Sequence, residues 1–531
     1  MTLVLDSTTI DRLDEFAAAG FDVPQYDVHA MRRATAERPT WVHLGAGNFF
    51  RSLHAVIAQR MLDAGHDTGI VLANLRDPAV VANSRATDDV FVNAVMREDG
   101  SVDPAVIASV AESHHLGPES EAAWERLTAV FENPSLQLVT LTVTEKGYLV
   151  TDGDAAPGPG RVRGAIPALT SLLLARHRAG GAPIALVSTD NFSENGERLA
   201  AAVRGVAATW VDAGRAPREF AAWLNDPSVV AYPSTMVDRI TPVPSVAVGQ
   251  ALAALGLETT RIQEREAGGP LAAFSATEAV SYLVLEDDFP GGRPPFERGG
   301  VVLGDRETVG RADRMKVCTC LNPLHTAMAV TGCLLGFTRI ADMMQDADIR
   351  ALVDGVGRVE GLPVVDTPAG MDPAAFLDEV IERRLPNPGL PDTPQRIAGD
   401  TSQKIGIRFG ETIRRHVAAG DAATLRWVPF TIAAWLRYLT AVDDSGAVFD
   451  RSPDPMLADL DERLAGLSLG DPDSIGEGVR ALLADESIFG VDLVTAGVAP
   501  AVEDALRSLI AGPGAVRTTL HHLATSPRST P

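Results

Sequence analysis

The strongest constraint on the fold is an alternation of short apolar runs with amphipathic stretches in the first half of the chain. The run TWVHLGAG (residues 40–47) has the pattern of a strand that ends in a glycine turn, and the amphipathic HAVIAQRMLDAG follows it. Further apolar runs, each bounded by turn residues, are GIVLANL, LQLVTLTVT and IALVSTD. Strands that alternate with helices are typical of a parallel sheet covered by helices on both faces. The sequence therefore predicts an α/β domain in the first half.

The second half has a different pattern. Proline and glycine crowd together in EDDFPGGRPPFERGG (residues 286–300), which is typical of a crossing between domains. Beyond it, segments such as NPLHTAMAVTGCLLGF and PAAFLDEVIERRL carry apolar residues at helical spacing. A chain of 531 residues also exceeds the ~250–300 residues at which one hydrophobic core stops growing. We therefore expect an α/β domain over residues 1–300 and a mostly α-helical domain over residues 301–531.

Charge and composition exclude several classes of function. Lys and Arg number 46 against 70 Asp and Glu, and the net charge of −24 repels phosphate backbones and anionic membranes. No run of eighteen apolar residues is present, and the N-terminus lacks the pattern of a signal peptide. Three cysteines do not form a disulfide framework. These features predict a cytoplasmic protein that binds a small molecule rather than nucleic acid or membrane, with its oligomeric state open.

The stretch HLGAGNFFR contains the first candidate binding site, formed by Gly45, Gly47, Asn48 and Phe49. Glycines at the end of a strand let the backbone approach a pyrophosphate, which then lies at the N-terminus of the following helix. Phe50 stands where the usual G-x-G-x-x-G pattern has its third glycine. The alternative is a tight strand-to-helix turn without a ligand.

The tip of the second apolar run bears on the choice of cofactor. An acidic residue at this point favours NAD, whereas an arginine accommodates the extra phosphate of NADP. Here the tip has the sequence Asn74, Leu75, Arg76, Asp77. Arg76 is therefore a candidate cofactor contact, and the mixture leaves the preference between NAD and NADP open.

Polar residues follow two later strands. Asp190, Asn191 and Asn195 in STDNFSENGERL are suited to hydrogen-bonding a nicotinamide or a sugar hydroxyl, and VTEKGY (residues 143–148) follows another strand. The alternative for each Asx residue is a helix cap. Asp238 and Arg239 in PSTMVDRITP form an acid–base pair whose alternative interpretation is a structural ion pair.

The stretch KVCTCLNPLH (residues 316–325) holds the densest group of reactive side chains. Its two cysteines lack the spacing of a zinc or redox pair, so they are expected to pack as small apolar groups and no metal is expected. Lys316, Asn322 and His325 remain. A lysine in a desolvated cleft can act as a general base, while Asn and His can hydrogen-bond a developing oxyanion. A solvated lysine and a core histidine are the alternative.

Together these segments resemble the polyol-specific long-chain dehydrogenase/reductase family, also called the mannitol dehydrogenase family. The resemblance covers roughly residues 41–430 and runs in order through VHLGAGNFFR, TVTEKGY, DNFSENG, PSTMVDRITP, MKVCTCLNPLH, ERRLPNP and DTSQKI. It implies an N-terminal Rossmann-type NAD(P)-binding domain and a helical C-terminal substrate and catalytic domain, with the active site between them. It also implies metal-independent hydride transfer at C2 of a polyol or keto-sugar, with NAD as cofactor and NADP not excluded.

The resemblance assigns roles to individual residues. Lys316 matches the general acid/base, and Asn322 and His325 match the groups that polarise the C2 oxygen. Asn191 matches a position that supports this site. Asp238 matches a position that contacts or supports the substrate hydroxyls.

The spacing in this chain departs from the family pattern. Lys316 precedes Asn322 by six residues, where the family usually has five. On a regular helix, at about 100° per residue, the extra residue turns Lys316 and His325 from about 80° to about 180° apart. Pro323 lacks an N–H and its ring crowds the preceding turn, so we predict a π-type bulge or helix break between Val317 and Asn322.

A second departure is that Asp313 stands where better-known members carry a glutamate, three residues before the lysine. It could relay the proton of Lys316 to solvent, or it could be a plain surface residue.

For the substrate, the sequence favours fructuronate/mannonate, with mannitol/fructose as the alternative. A C1 carboxylate calls for a cation, and Arg239, Arg384 and Lys404 lie in the motif-bearing segments. Arg384 matches a substrate-contacting arginine of the family, although relatives that act on neutral polyols carry one as well. An alternative of another class is a catalytically silent sugar- or nucleotide-binding relative.

Overall fold

The computed structural model describes residues 2–97, 99–143, 145–149, 158–265 and 269–526. The chain divides into two compact units, Met1–Gly310 and Arg311–Pro531. The division falls within a helix, Arg306–Met315, shortly after the proline- and glycine-rich residues 286–300.

The strands belong to the N-terminal unit. They are β1 (Trp41–Leu44), β2 (Ile70–Asn74), β3 (Phe91–Met96), β4 (Val102–Ile107), β5 (Val110–His115), β6 (Leu138–Leu141), β7 (Ile184–Ser188), β8 (Val230–Ala231), β9 (Thr235–Asp238), β10 (Phe274–Glu278), β11 (Tyr282–Glu286) and β12 (Val302–Gly304). The main sheet has the order β5-β2-β1-β6-β7-β8, and its neighbouring strands are all parallel. The predicted parallel α/β sheet is confirmed.

The strand order reverses at the centre of this sheet. The chain builds outward from β1 through β2 to β5, then returns to the other side of β1 with β6, β7 and β8. Open parallel sheets bind ligands beyond the carboxyl ends of the strands at such a switch point. The turn after β1 lies at this position.

Helices cover the sheet because its strands are apolar on both faces. Alternate residues of β1 show this, since Val42 and Leu44 belong to one buried cluster and Trp41 belongs to the other. The helices described in this unit are Leu13–Ala18, Val28–Glu37, Asn48–Ser52, His54–Asp63, Pro78–Arg85, Glu121–Glu132, Ala165–Arg178, Asn195–Asp212, Arg218–Leu224 and Val246–Ala254, with short 3-10 turns at Thr9–Arg12, Glu145–Tyr148 and Phe296–Gly299.

Two smaller sheets were not anticipated from the sequence. One has the order β10-β3-β4, with β3 and β4 antiparallel, and the other has the order β12-β11-β9, with β11 and β9 antiparallel. The strand β9 matters for the site because it ends at Asp238.

The described part of the C-terminal unit is helical, as predicted. Its α-helices are Asn322–Leu334, Ile340–Met343, Ala347–Asp354, Pro373–Glu379, Pro394–Ala398, Thr401–Ala419, Trp427–Tyr438, Leu457–Arg463, Glu477–Leu483, Glu486–Phe489, Ala499–Leu509 and Ala515–Thr525. Three π-helical segments are Lys316–Cys320, Gly355–Gly361 and Val380–Arg384, and 3-10 turns lie at Leu362–Val364, Ala422–Thr424 and Pro472–Ser474.

A buried acid organises the core of this unit. Helix Trp427–Tyr438 is buried almost throughout, so the free N–H groups of its first turn need partners that are not water. The Glu360 carboxylate accepts hydrogen bonds from the backbone N–H of Trp427 at 2.9 Å and of Val428 at 2.8 Å. Glu360 is therefore a helix cap supplied from a distant segment.

One continuous helical stretch, Arg306–Leu334, is long and apolar enough to cross a membrane by length and composition alone. Of its most apolar 18-residue window, 83% is buried inside the folded chain, and core helices pass the same test.

Candidate active site

The turn after β1 requires glycine at Gly45. Its φ of +123° is one that other residues rarely adopt, and a Cβ there would lie 2.6 Å from the backbone oxygen of Thr142. Gly47 differs, because its φ is −77° and no described atom lies within 4 Å of the Cβ it lacks. Gly47 caps helix Asn48–Ser52. The first glycine forms the turn, and the second leaves the backbone open to a ligand.

This turn forms one wall of a cavity of about 300 Å³. The residues that line it are Gly45, Ala46, Gly47, Asn48, Phe50, Arg51, Leu72, Asn74, Arg76, Asp77, Val80, Val81, Asn83, Ser84, Phe91, Val110, Thr142, Val243, Arg265, Gly269, Pro270, Leu271 and Ala272. The predicted cofactor contacts Gly45, Gly47, Asn48 and Arg76 meet here, whereas Phe49 is not among the described lining residues. The glycine turn at the carboxyl end of β1 borders this cavity, and such a turn fits the pyrophosphate of a dinucleotide.

Phe50 has a structural reason to replace the third glycine of the pattern. Its ring is buried and stacks on His43, with centroids 4.5 Å apart, and His43 in turn lies 4.4 Å from the His54 ring. The His43 and His54 rings contact the hydroxyls of Thr140 and Thr189 at 2.7 and 2.9 Å. Burial lowers the pKa of His54 to about 3 and that of His43 well below its usual value, so both rings stay neutral.

The carboxyl end of β2 carries an ion pair that sequence reasoning missed. Asp77 caps helix Pro78–Arg85 by accepting from the Ala79 N–H at 2.9 Å, and it also pairs with Arg265. Asp77 and Arg265 are 188 residues apart in the chain, and no local sequence pattern links them. Arg76, next to Asp77, is exposed.

Asp190 and Asn195 serve as connectors inside the N-terminal unit. Asp190 Oδ2 accepts from the Val143 N–H at 3.0 Å and the Tyr148 hydroxyl at 2.7 Å. Asn195 Nδ2 donates to the Asp190 carbonyl and to Thr235, while its Oδ1 accepts from the Thr235 N–H at 2.9 Å. The side chain of Asn195 therefore joins the end of β7 to the start of β9.

Asn191 and Asp238, which were predicted for the catalytic and substrate sites, lie on the segments that Asn195 joins. Asn191 is exposed after β7, and Asp238 is 6% exposed as the last residue of β9. Thr144 of the VTEKGY motif lies outside the described residues.

The C-terminal unit carries the Lys–Asn–His group on one broken helix. Residues Lys316–Cys320 are π-helical, and the Leu321 N–H donates to the Lys316 carbonyl at 3.1 Å, five residues back. A regular α-helix resumes at Asn322, with Pro323 in its first turn. The predicted π-type bulge is confirmed. A wide turn that absorbs one residue returns Lys316 and His325 to about 80° apart around the helix.

Burial differs along this segment. Lys316 is 3% exposed, and Asn322 and His325 are half-buried. His325 lines a small cleft together with Arg384 and Asn387. Arg384, which ends the π-helical segment Val380–Arg384, is 2% exposed. The structure thus brings Arg384 and His325 of the predicted set into one cleft.

The other charged residues singled out in the sequence are Lys404, Arg239 and Asp313. The Lys404 ammonium donates to the Gly399 carbonyl and lies 4.0 Å from Asp400. Arg239 is half-buried after β9. Asp313 is half-buried one turn before Lys316.

The cysteines pack inside the C-terminal unit. All three are free and buried, and burial raises the pKa of Cys318 to about 11 and that of Cys320 to about 12. Both thiols therefore stay protonated at neutral pH, which makes them poor ligands and nucleophiles. Among the described residues, no group of three or more His, Cys, Asp or Glu side chains is arranged to hold a metal ion.

Two family models match the chain, one for each part of it. The mannitol dehydrogenase Rossmann domain matches residues 39–298, and the mannitol dehydrogenase C-terminal domain matches residues 312–510. The chain belongs to the mannitol dehydrogenase family. The resemblance stated from the motifs is therefore confirmed, and this member of the mannitol dehydrogenase family is an oxidoreductase with a Rossmann-type cofactor domain.

Individual relatives of this mannitol dehydrogenase family member extend over nearly its full length. The D-mannonate oxidoreductase of Thermotoga maritima is 42% identical over 98% of both chains. The polyol:NADP oxidoreductase of Gluconobacter oxydans is 28% identical over 84% of this chain and 88% of its own. Among solved structures, the mannitol 2-dehydrogenase of Pseudomonas fluorescens, in a ternary complex with NAD and D-mannitol, is similar with a TM-score of 0.68 and 25% identity, covering 99% of this chain and 100% of that one.

Proposed function

We propose that this mannitol dehydrogenase family member is a fructuronate reductase (D-mannonate oxidoreductase). It would transfer hydride from NADH to the C2 carbonyl of a keto-sugar acid, and in reverse it would oxidise the 2-hydroxy acid. The observation that carries the proposal is the 42% identity, over 98% of both chains, to a D-mannonate oxidoreductase, and the buried Arg384 in the same cleft as His325 is consistent with it. A guanidinium suits a carboxylate because it can donate two parallel hydrogen bonds. The Thermotoga relative with the same named activity supports this choice.

The chemistry divides between the two units of the chain. The N-terminal unit holds the dinucleotide through Gly45, Gly47 and Asn48, and the nicotinamide supplies or accepts the hydride when bound. Lys316 donates a proton to the substrate O2 as the carbonyl becomes a hydroxyl, and removes it in the reverse direction. Asn322 and His325 hydrogen-bond the same oxygen and stabilise the charge that develops on it.

Supporting roles follow the residue assignments of the family. Asn191 would support the reacting groups, and Asp238 and Arg384 would hold the substrate's hydroxyls and carboxylate. The burial of Asp238 at the end of β9 supports a role in binding substrate hydroxyls, because it holds the carboxylate in a fixed direction.

The proposal implies a nicotinamide cofactor and a small-molecule substrate. NAD is the expected cofactor, and the named cofactors of the relatives include both NAD and NADP. The substrate is a small sugar acid. The cytoplasmic location stays a prediction.

A reductase screen tests the proposal. The purified protein is mixed with NADH or NADPH and with fructuronate, tagaturonate or fructose, and the absorbance of the reduced nicotinamide is followed. We expect fructuronate to give the highest kcat/KM. Absence of turnover with every keto-sugar acid, in a protein that binds the cofactor, would reject the proposal.

A second candidate is mannitol 2-dehydrogenase, which is favoured by the full-length similarity to the D-mannitol complex. Arg384→Gln separates the two functions. If the carboxylate of fructuronate pairs with Arg384, the variant should lose about 10²-fold in kcat/KM with fructuronate, since a buried charged hydrogen bond is worth about 2–3 kcal/mol. A larger loss with fructose than with fructuronate would favour the mannitol enzyme.

A further inference from the structure

In the described lining of the dinucleotide cavity, the acidic residue at the end of β2 is already paired. Asp77 Oδ1 accepts from the Ala79 N–H at 2.9 Å, and Oδ2 pairs with the guanidinium of Arg265. In NAD-selective sites of this fold, the acid at the end of the second strand accepts hydrogen bonds from the ribose 2′-hydroxyl. Both oxygens of Asp77 already have partners, so this acceptor role is weakened.

Arg265 reaches this position from a distant segment that is tied to the cavity wall. Gln263 and Leu271 are bridged by two backbone hydrogen bonds of 2.7 and 3.0 Å. Arg265 Nε donates to the Gly269 carbonyl at 2.7 Å, and its other arm meets Asp77. The Arg51 side chain holds the end of the segment by donating to the Ala272 carbonyl at 2.7 Å.

The charges at this end of the cavity sum to a cation. Among the lining residues that the structure describes at this end, Arg76, Asp77 and Arg265 carry charges, and two of these three are positive. A 2′-hydroxyl gains little from a second cation, whereas a 2′-phosphate is a dianion that a guanidinium binds strongly.

We infer that this pocket accepts the 2′-phosphate of NADP(H) as well as NAD(H), and that Arg265 is the residue that sets the balance. Arg265 does so in two ways, by occupying the Asp77 carboxylate and by adding a positive charge beside Arg76. The inference rests on the nicotinamide cofactor of the proposed function and not on the sugar substrate.

Binding of cofactor fragments tests the inference without catalysis. The affinities of the full-length protein for 5′-AMP and 2′,5′-ADP, which differ only by the 2′-phosphate, are measured by titration calorimetry. We expect the wild-type protein to bind 2′,5′-ADP at least as tightly as 5′-AMP. Arg265→Gln should lower the ratio of the two affinities at least tenfold, both by weakening 2′,5′-ADP and by strengthening 5′-AMP as Asp77 becomes free to accept from the ribose.

Two further variants make the result specific. Asp77→Asn keeps a capping oxygen for Ala79 but removes the negative charge, so it should raise the affinity for 2′,5′-ADP. Arg38→Gln changes the net charge by the same amount as Arg265→Gln, and Arg38 is an exposed residue paired with Asp67, so the ratio should stay at the wild-type value.

The outcomes separate this inference from the proposed function. Tighter wild-type binding of 5′-AMP than of 2′,5′-ADP overturns it, and so does an Arg265→Gln protein that binds NADH yet keeps the wild-type ratio. A protein with the expected ratios that reduces no keto-sugar leaves the inference standing and rejects the fructuronate proposal alone.

Discussion

Replacing Gly45 by alanine should damage the cofactor domain through a local steric conflict. The new Cβ would lie 2.6 Å from the carbonyl oxygen of Thr142, which is a backbone atom directly after β6. The φ of +123° adds strain of about 1–3 kcal/mol for a residue with a side chain. Displacing packed neighbours adds about 1–3 kcal/mol. We therefore expect a loss of about 2–6 kcal/mol in the free energy of unfolding.

The matched control is Gly47→Ala. Gly47 has an ordinary φ of −77° and open space around its missing Cβ, so the variant should lose no more than about 1 kcal/mol of stability, the cost of an alanine in place of a glycine N-cap. Its methyl group would instead occupy the path of the pyrophosphate, which should weaken NADH at least about tenfold. The two substitutions thus separate a glycine that the turn requires from one that the ligand requires.

Thermal unfolding followed by intrinsic fluorescence, with and without NADH, measures both effects. Gly45→Ala should lower the melting temperature on the order of 5–15 °C, and Gly47→Ala should lower it by no more than about 2–4 °C but lose the stabilisation by NADH. A Gly45→Ala protein that melts within about 1 °C of wild type and binds NADH normally would contradict the steric conflict with Thr142.

Three other residues give shorter tests. Burial acts to raise the pKa of Glu112, but hydrogen bonds from His114 and Arg126 outweigh it and hold the pKa at about 2. Glu112→Gln should therefore cost about 1–2 kcal/mol at pH 7, a difference that fades as the pH falls from about 4.5 towards 2 in urea titrations. Burial raises the pKa of Cys320 to about 12, so iodoacetamide at pH 7 should leave the native protein unlabelled by mass spectrometry, and labelling before unfolding would contradict this. Asn195→Ala should lower stability by about 2–3 kcal/mol in the same urea assay, because it leaves buried backbone groups unpaired; a change below about 0.5 kcal/mol would contradict its connecting role.

The parts of this protein that could be predicted from its sequence are those that local pattern determines. Runs such as IALVS form buried parallel strands because both faces are apolar, and the glycine turn after β1 follows from steric limits. The π-helical turn at Lys316–Cys320 was predictable from the family resemblance, which implies that Lys316 and His325 serve one site. On a regular helix the spacing in this chain would place these two side chains on opposite faces.

The parts that could not be predicted depend on contacts between distant segments. The Asp77–Arg265 pair and the Glu360 cap each join residues that are far apart in the chain, and no periodicity marks them. Phe50 was seen only as a missing glycine, because its packing on His43 depends on the folded turn. The sequence left ligand contact and a helix cap open for Asn195, and its side chain instead joins the end of β7 to the start of β9.

The most direct test of the account is the turnover of Lys316→Ala with fructuronate and NADH. The neighbouring variant Cys318→Ala is the control, since this thiol lies in the same π-helical turn and has only a packing role. Lys316→Ala should lose several powers of ten in kcat with nearly unchanged NADH affinity, because the proton donor to O2 is gone. Cys318→Ala should stay close to wild type. A Lys316→Ala enzyme with near-normal kcat would contradict the assignment of Lys316 as the general acid/base.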